Sequence, residues 1–285
     1  MTIVVTGGTG YLGSALLAEL VGAGHSVTAL VRNEAGAAKA TGLGARAAVG
    51  DLFDTGWLTE QFAAADAVAH LAATGDAGTR DLDRGVVSAV TAALGGTTKP
   101  YVHTSGIWLW GDNADITEQA PPAPPALTAW RRPVEQSVLE SGLAATILAP
   151  AIVYGHGAGI PAGVFGRDDE GRVRLIGDGS QHWATVHVDD IATLYRTVLE
   201  RGEGLGYLVG ASGESPTVRE LGEALAGDAA VAPESIEASR ERLGALFADA
   251  LLLDQQASGA KARELGWTPK GPSLLDDFRT GSYAS

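Results

Sequence analysis

The residues whose spacing first implies chemistry are Gly7, Gly10 and Gly13, within the run Thr6-Gly7-Gly8-Thr9-Gly10-Tyr11-Leu12-Gly13. This run follows an apolar strand-like stretch and opens a helical one. Glycines at these intervals permit a tight reversal, close approach of main-chain N–H groups to a diphosphate, and close helix–sheet packing. The helix start adds unpaired amides and a partial positive charge. The chemistry implied is dinucleotide binding, with Gly7, Thr9, Gly10, Tyr11 and Leu12 forming the cradle. At the end of the second strand the sequence reads Ala29-Leu30-Val31-Arg32-Asn33, with no acid before Glu34. An acid there binds the ribose of NAD, whereas Arg32, about 20 residues past the glycine turn, pairs with a 2′-phosphate. The expected cofactor is therefore NADP(H), with Glu34 on the ribose of NAD as the alternative.

Other reactive groupings are fewer. The chain has no cysteine, which removes disulfides, thiolate catalysis and cysteine–zinc sites. His182, His187 and Asp189 have the composition of a two-histidine, one-carboxylate metal set. Their intervals cross a strand–helix junction where side chains diverge, and Asp189 or Asp190 reads as a helix N-cap, so no metal is expected. There is neither a Walker A loop nor a G-x-S-x-G elbow. Ser105, Tyr154 and His156 remain as possible proton donors, against structural roles in strand-end capping and packing. Trp108, Trp110, Trp130 and Trp183 either rim a cleft for a flat aromatic substrate or fill the core.

The elements that must position these groups follow from composition and pattern. At 285 residues, with 45% apolar and 19% charged residues, the chain can bury a full core. A net charge of −14 without a basic stripe opposes a nucleic-acid partner. No leader is visible at Met1-Thr2, and the longest apolar stretch, Leu143 to Val153, is broken by Thr146 and Pro150; a cytoplasmic protein with no membrane partner is expected. Strand-like runs at 3–6, 26–31, 45–49, 67–71, 100–104 and 144–149 alternate with helix-length segments near 11–23, 35–42, 56–64, 79–95 and 132–141. The runs are almost continuously apolar, as in parallel strands buried on both faces. The expected fold is α/β, a Rossmann-type doubly wound parallel sheet with a smaller C-terminal substrate-binding region. Residues 1–150 would form the NADP(H)-binding part and 151–285 mainly the substrate part, with 186–210 returning to the sheet. The proline-rich stretch Gln119 to Ala126 reads as a surface loop.

Over essentially its whole length the chain resembles the extended short-chain dehydrogenase/reductase superfamily. The resemblance is carried by TGGTGYLG, Gly50-Asp51-Leu52, His70-Leu71-Ala72-Ala73, Pro150-Ala151-Ile152-Val153-Tyr154-Gly155, Val186 to Ile191, and the tail from Lys261 through Trp267 to Tyr283. It implies that Asp51 and Leu52 meet the adenine, and that Leu71, Ala72 and Ala73 lie beside the nicotinamide ribose. Pro150 and Val153 would hold the carboxamide, and Thr104 and Arg131 would complete the cofactor set.

The sequence departs from that superfamily at the catalytic residues. Its members use a tyrosine to protonate the carbonyl oxygen and a lysine four residues later to lower the tyrosine pKa. No Tyr-x-x-x-Lys occurs here. Registering on Glu135 and Gln136 puts Leu127 in the tyrosine position and Arg131 in the lysine position. The usual hydroxyl falls on Gly106, just after Thr104 and Ser105, and Pro133 delays the helix to near Arg132. In this the chain is similar to atypical ketoreductases that tailor aromatic polyketide antibiotics, the simocyclinone type.

The resemblance implies NADPH-dependent reduction of an aromatic ketone by a monomer or homodimer. The proton would come from Ser105, Tyr154 or His156, or the substrate would carry its own charge on a conjugated phenolate, with a pKa of about 10. A non-catalytic NADP(H) sensor and a nucleotide-sugar epimerase or dehydratase are the competing functions.

Overall fold

Through residue 150, each apolar run becomes a strand and each amphipathic stretch the helix that follows it. The elements are β1 (Thr2–Thr6), α1 (Tyr11–Gly22), β2 (Ser26–Val31), α2 (Glu34–Gly42), β3 (Arg46–Val49), α3 (Thr55–Ala63), β4 (Ala67–His70), α4 (Thr79–Leu94), β5 (Pro100–Thr104), a 3₁₀ turn (Ile107–Trp110), α5 (Arg131–Glu140) and β6 (Ala144–Pro150). There follow β7 (Ile152–Gly155), β8 (Ala158–Gly159), α6 (Ile160–Val164), β9 (Val173–Arg174), β10 (Thr185–His187), α7 (Val188–Arg201), β11 (Gly206–Gly210), α8 (Val218–Ala226), β12 (Val231–Ala232), α9 (Ile236–Leu243), α10 (Ala245–Leu251), α11 (Ala260–Glu264) and α12 (Leu274–Thr280). The structure, a computed structural model, describes residues 1–284.

The main sheet has seven strands in the order β3-β2-β1-β4-β5-β6-β11. From β3 through β6 every pairing is parallel. Strand order reverses between β1 and β4, where Thr6 stands opposite His70. Such a reversal opens a crevice at the carboxyl ends of the strands, because successive crossovers leave on opposite faces. Strands β4 and β5 are buried almost throughout, which accounts for their unbroken apolar sequence. Leu58 and Phe62 of α3 and Val86 and Val90 of α4 pack against Val4, Val68 and Tyr101.

The chain forms two compact units. The first comprises Met1–Ser105, Trp130–Ala149 and Ala192–Leu208 and contains most of the main sheet. The second comprises Gly106–Ala129, Pro150–Ile191 and the described chain from Val209 onward. Its sheets are small, β10-β7-β8 and β12-β9, and its core gathers Ile152, Trp183, Leu221, Leu251 and Phe278.

Two expectations are corrected here. Residues 106–129, expected in the nucleotide-binding part, belong to the second unit, because Asn113 N bonds to Asp254 O, Ile116 N to Gln256 O, and the Gln255 amide to the carbonyls of Ile107 and Gly111. Of the segment expected to return to the sheet, β11 does so, whereas β10 pairs with β7 instead. Among the described residues no helix is long and apolar enough to cross a membrane.

Candidate active site

At the strand-order reversal lies a crevice of about 460 Å³, lined by Gly7, Thr9, Gly10, Arg32, Asp51, Leu52, Leu71, Ala72 and Ala73, all singled out from sequence. Leu30, Val31, Phe53, Thr74 and Leu82 complete the wall. Leu30 and Val31 end β2, Phe53 and Thr74 lie in loops and Leu82 lies in α4, and only the tertiary fold brings them together. Gly7 has φ +72°, and a Cβ there would sit 2.5 Å from Ala72 N, so the floor of the crevice requires glycine. A Cβ on Gly13 would come within 2.1 Å of Gly7 O, which explains the third glycine as a helix-to-turn packing contact.

The electrostatics favour an anion. Helix α1 starts at Gly10 with no side-chain cap, whereas Asn33 and Asp54 cap α2 and α3 by accepting from Gly36 N and Trp57 N. No side chain caps the start of α1, so the positive end of its helix dipole faces the crevice. Arg32 is exposed and has no ion-pair partner among the described residues. Lys39, one turn into α2, reaches back so that its Nζ donates to Thr9 O at 2.8 Å. Sequence reasoning missed Lys39; its signal is a second cation seven residues beyond Arg32 on the helix leaving β2. Glu34 does not line the crevice. Asp51 Oδ1 accepts from Phe53 N at 2.9 Å. The glycine floor and the uncapped helix fit a nicotinamide dinucleotide.

Beyond this crevice the first unit holds two buried polar networks. Ser105 Oγ donates to Glu135 Oε1 at 2.5 Å, and Tyr207 Oη donates to Glu135 Oε2 at 2.9 Å. Burial raises the Glu135 carboxyl above its ordinary pKa, although both hydroxyl donors and the Arg131 charge oppose the shift. Arg131 Nη1 donates to Thr104 O at 3.2 Å, and its guanidinium lies 4.8 Å from the Trp130 ring centre. Helix α5 starts at Arg131, which leaves Pro133 in the first turn where its missing N–H is tolerated. Thr104 Oγ1 donates to His70 O and touches Tyr195 Oη, both at 2.7 Å. In the second network Thr6 Oγ1 meets His70 Nδ1 at 2.6 Å, His70 Nε2 meets Asp83 Oδ1 at 3.0 Å, and Tyr101 Oη meets His103 Nδ1 at 2.8 Å. Burial works against the charge on Asp83, but the hydrogen bond and charge of His70 outweigh it and hold the carboxyl below its usual range.

Residues 3–210 match the NAD dependent epimerase/dehydratase family. The chain belongs to that family. An uncharacterized protein of Saccharomyces cerevisiae is 30% identical over 98% of both chains. The 4-hydroxy-2-methyl-3-oxo-4-farnesyl-3,4-dihydroquinoline-1-oxide ketoreductase of Stigmatella aurantiaca is 30% identical over 72% of this chain and 66% of its own. In fold, the chain is similar to a human epimerase family protein solved with NADPH (TM-score 0.73, 19% identity, 99% of each chain). It is also similar to the UDP-glucose 4-epimerase of Thermotoga maritima (TM-score 0.75, 23% identity, 99% of this chain and 98% of the other).

The remaining residues singled out from sequence occupy other surroundings in this epimerase/dehydratase-family chain. Tyr11 and Leu12 begin α1 and do not line the crevice. Pro150 and Val153 lie in the second unit. Tyr154 is buried there, with its hydroxyl donating to Pro272 O at 2.7 Å, and burial raises its pKa further above that of a free phenol. Trp110 and Trp183 are packing residues, each 2% exposed, with indole N–H groups bonded to Ala120 O and Leu251 O. Trp108 meets Phe247 edge-on at 6.0 Å, and Trp130 packs on the first unit's core.

Neither Asp189 nor Asp190 caps α7 as expected. Asp190 accepts from the amides of Lys270 and Gly271 and so ties down the C-terminal segment, while the His187 ring accepts from Asp189 N. His182 bonds Asp254, so it does not join His187 and Asp189.

Proposed function

We propose that this protein is an NADPH-dependent ketoreductase that reduces an aromatic, polyketide-like ketone to the alcohol. The observation that carries the cofactor half is the pairing of an uncapped α1 with an unpartnered Arg32 at the tip of β2. The α1 amides bind the diphosphate, Arg32 pairs with the 2′-phosphate, and Lys39 stands beside the loop between them. Asp51 accepts from the adenine amino group, and Leu71 to Ala73 flank the nicotinamide ribose. Thr104 and Arg131 fix the carboxyl end of β5 through the Arg131–Thr104 bond. When bound, the reduced nicotinamide supplies the hydride.

The proton source is the distinctive part. A general acid contributes about 10²–10⁴-fold, whereas orientation supplies about 7–11 kcal/mol that the loss of the tyrosine leaves intact. Ser105 has its one proton on Glu135, and Tyr154 has its own on Pro272 O. With both hydroxyls committed, the substrate's own neighbouring phenol O–H gives its proton to the oxygen that takes up charge as the hydride adds; the charge comes to rest on the phenolate, with a pKa of about 10, and water then reprotonates it. Membership of a family with a ketoreductase relative supports this reading over a non-catalytic sensor. The test compares NADPH oxidation with a phenol-conjugated ketone and with its O-methyl ether. Turnover of the phenol at least about 100-fold faster is expected; equal rates would place the acid on the protein, and no oxidation with any ketone would favour the sensor.

A further inference from the structure

In the second unit His156, distant in sequence, converges at the surface on the neighbouring pair His187 and Asp189. His156 Nε2 lies 3.0 and 3.1 Å from the two oxygens of Asp189, and His187 Nδ1 lies 3.7 Å from Asp189 Oδ2. One donor atom from each of the three falls within 4.8 Å of the others. We propose that His156, His187 and Asp189 bind a single borderline divalent metal ion, of the zinc or nickel type, through two imidazole nitrogens and a carboxylate oxygen.

The donor set suits such an ion. Imidazole favours zinc, nickel and copper, and a lone carboxylate completes the two-histidine, one-carboxylate pattern that leaves coordination positions open. Metal–ligand bonds of about 2.0–2.1 Å at tetrahedral angles place donor atoms about 3.4 Å apart. The observed separations of 3.0 and 3.7 Å from Asp189 bracket that value. His156 and Asp189 are more than half exposed at the side chain, so an ion has an open approach and His156 has room to swing inward. His187 is nearly buried and held edge-on to the Tyr154 ring at 5.4 Å, and its Nδ1 accepts only a long contact from Asp189 N at 3.3 Å, which the ion would replace.

The backbone carries strain to bring His156 there. Among the described residues it is the one non-glycine with positive φ, 55°, between Gly155 at 123° and Gly157 at 67°. A side chain in this region is strained, and the conformation persists where the surroundings enforce it. Here the Tyr283 hydroxyl accepts from Gly155 N at 2.8 Å and Ser282 Oγ from Gly157 N at 2.7 Å, pinning both sides of the turn. A Cβ at Gly155 would lie 2.5 Å from His187 Nε2, so glycine there admits the second imidazole. Sequence spacing concealed the set, because His156 stands 31 positions before His187.

The test uses untagged, chelator-stripped full-length protein, titrated with Zn²⁺ and Ni²⁺ by calorimetry and with Co²⁺ by visible absorption. The expected result is one ion per chain, a Co²⁺ spectrum typical of nitrogen ligation, and a Zn²⁺-dependent rise in Tm. His156→Gly tolerates the left-handed backbone and so keeps the turn, and Asp189→Asn keeps side-chain size; each is expected to weaken binding at least about tenfold and to abolish the Tm rise. Absence of stoichiometric binding, or binding unchanged in both variants, would overturn the proposal.

Discussion

Ser105 Oγ donates to Glu135 Oε1 at 2.5 Å in the interior of the first unit. A serine hydroxyl has a single proton, so this bond removes Ser105 as a donor to a substrate oxygen unless the carboxylate is abandoned. Ser105→Ala is therefore expected to lower kcat by less than about tenfold in steady-state NADPH oxidation. A loss above about 10³-fold would identify Ser105 as a protein acid.

Tyr154→Phe removes the bond to Pro272 O and nothing that touches the reacting atoms. The expected cost is about 1 kcal/mol of unfolding free energy, measured in urea, with kcat unchanged. A large fall in kcat with stability intact would return Tyr154 to the chemistry.

The His103 ring yields a pH dependence. Burial first, then repulsion from His70, depresses its pKa to about 3, while the unfolded ring titrates near 6.5. Between these values the unfolded chain takes up a proton that the native ring refuses, so this ring makes unfolding free energy fall as pH drops, by about 1.4 kcal/mol per unit. Asp83, held below the usual carboxylate range, adds a further loss only below about pH 4, where its unfolded counterpart protonates. Urea titrations between pH 7 and 4 are expected to show a shallower slope for His103→Gln than for the wild type. Parallel slopes would mean that the native ring takes up its proton in the ordinary range.

Lys39 Nζ donates to Thr9 O at 2.8 Å, which brings a second cation to the glycine loop; in the proposed binding mode it assists Arg32 with the additional phosphate. Lys39→Ala is expected to weaken NADPH about threefold to tenfold, in line with an exposed ion pair, and to leave NADH nearly unchanged. An equal effect on both cofactors would reduce Lys39 to a loop support.

Much of the first unit was legible because its signals are local. Apolar runs mark β1 to β6, and the Gly7–Gly10–Gly13 spacing marks the crevice, since turn geometry and close packing are decided within a few residues. What escaped depends on distant partners. Residues 106–129 pair with 254–256, and nothing in their own sequence states that register. Glu135 served in the sequence only to register the missing motif, and its role as a buried acceptor for Ser105 and Tyr207 depends on residues far along the chain. Trp110 and Trp183 have the composition of a substrate shelf, but their packing could be told only from their neighbours.

The central claim is that the β1–α1 crevice takes NADP(H) and that Arg32 selects it. Equilibrium binding of NADPH and NADH to the wild type and to Arg32→Ala tests this directly. The wild type is expected to prefer NADPH by at least about tenfold, and the substitution to erase that preference by weakening NADPH alone. Equal affinities in the wild type, or an undiminished preference after the substitution, would contradict it.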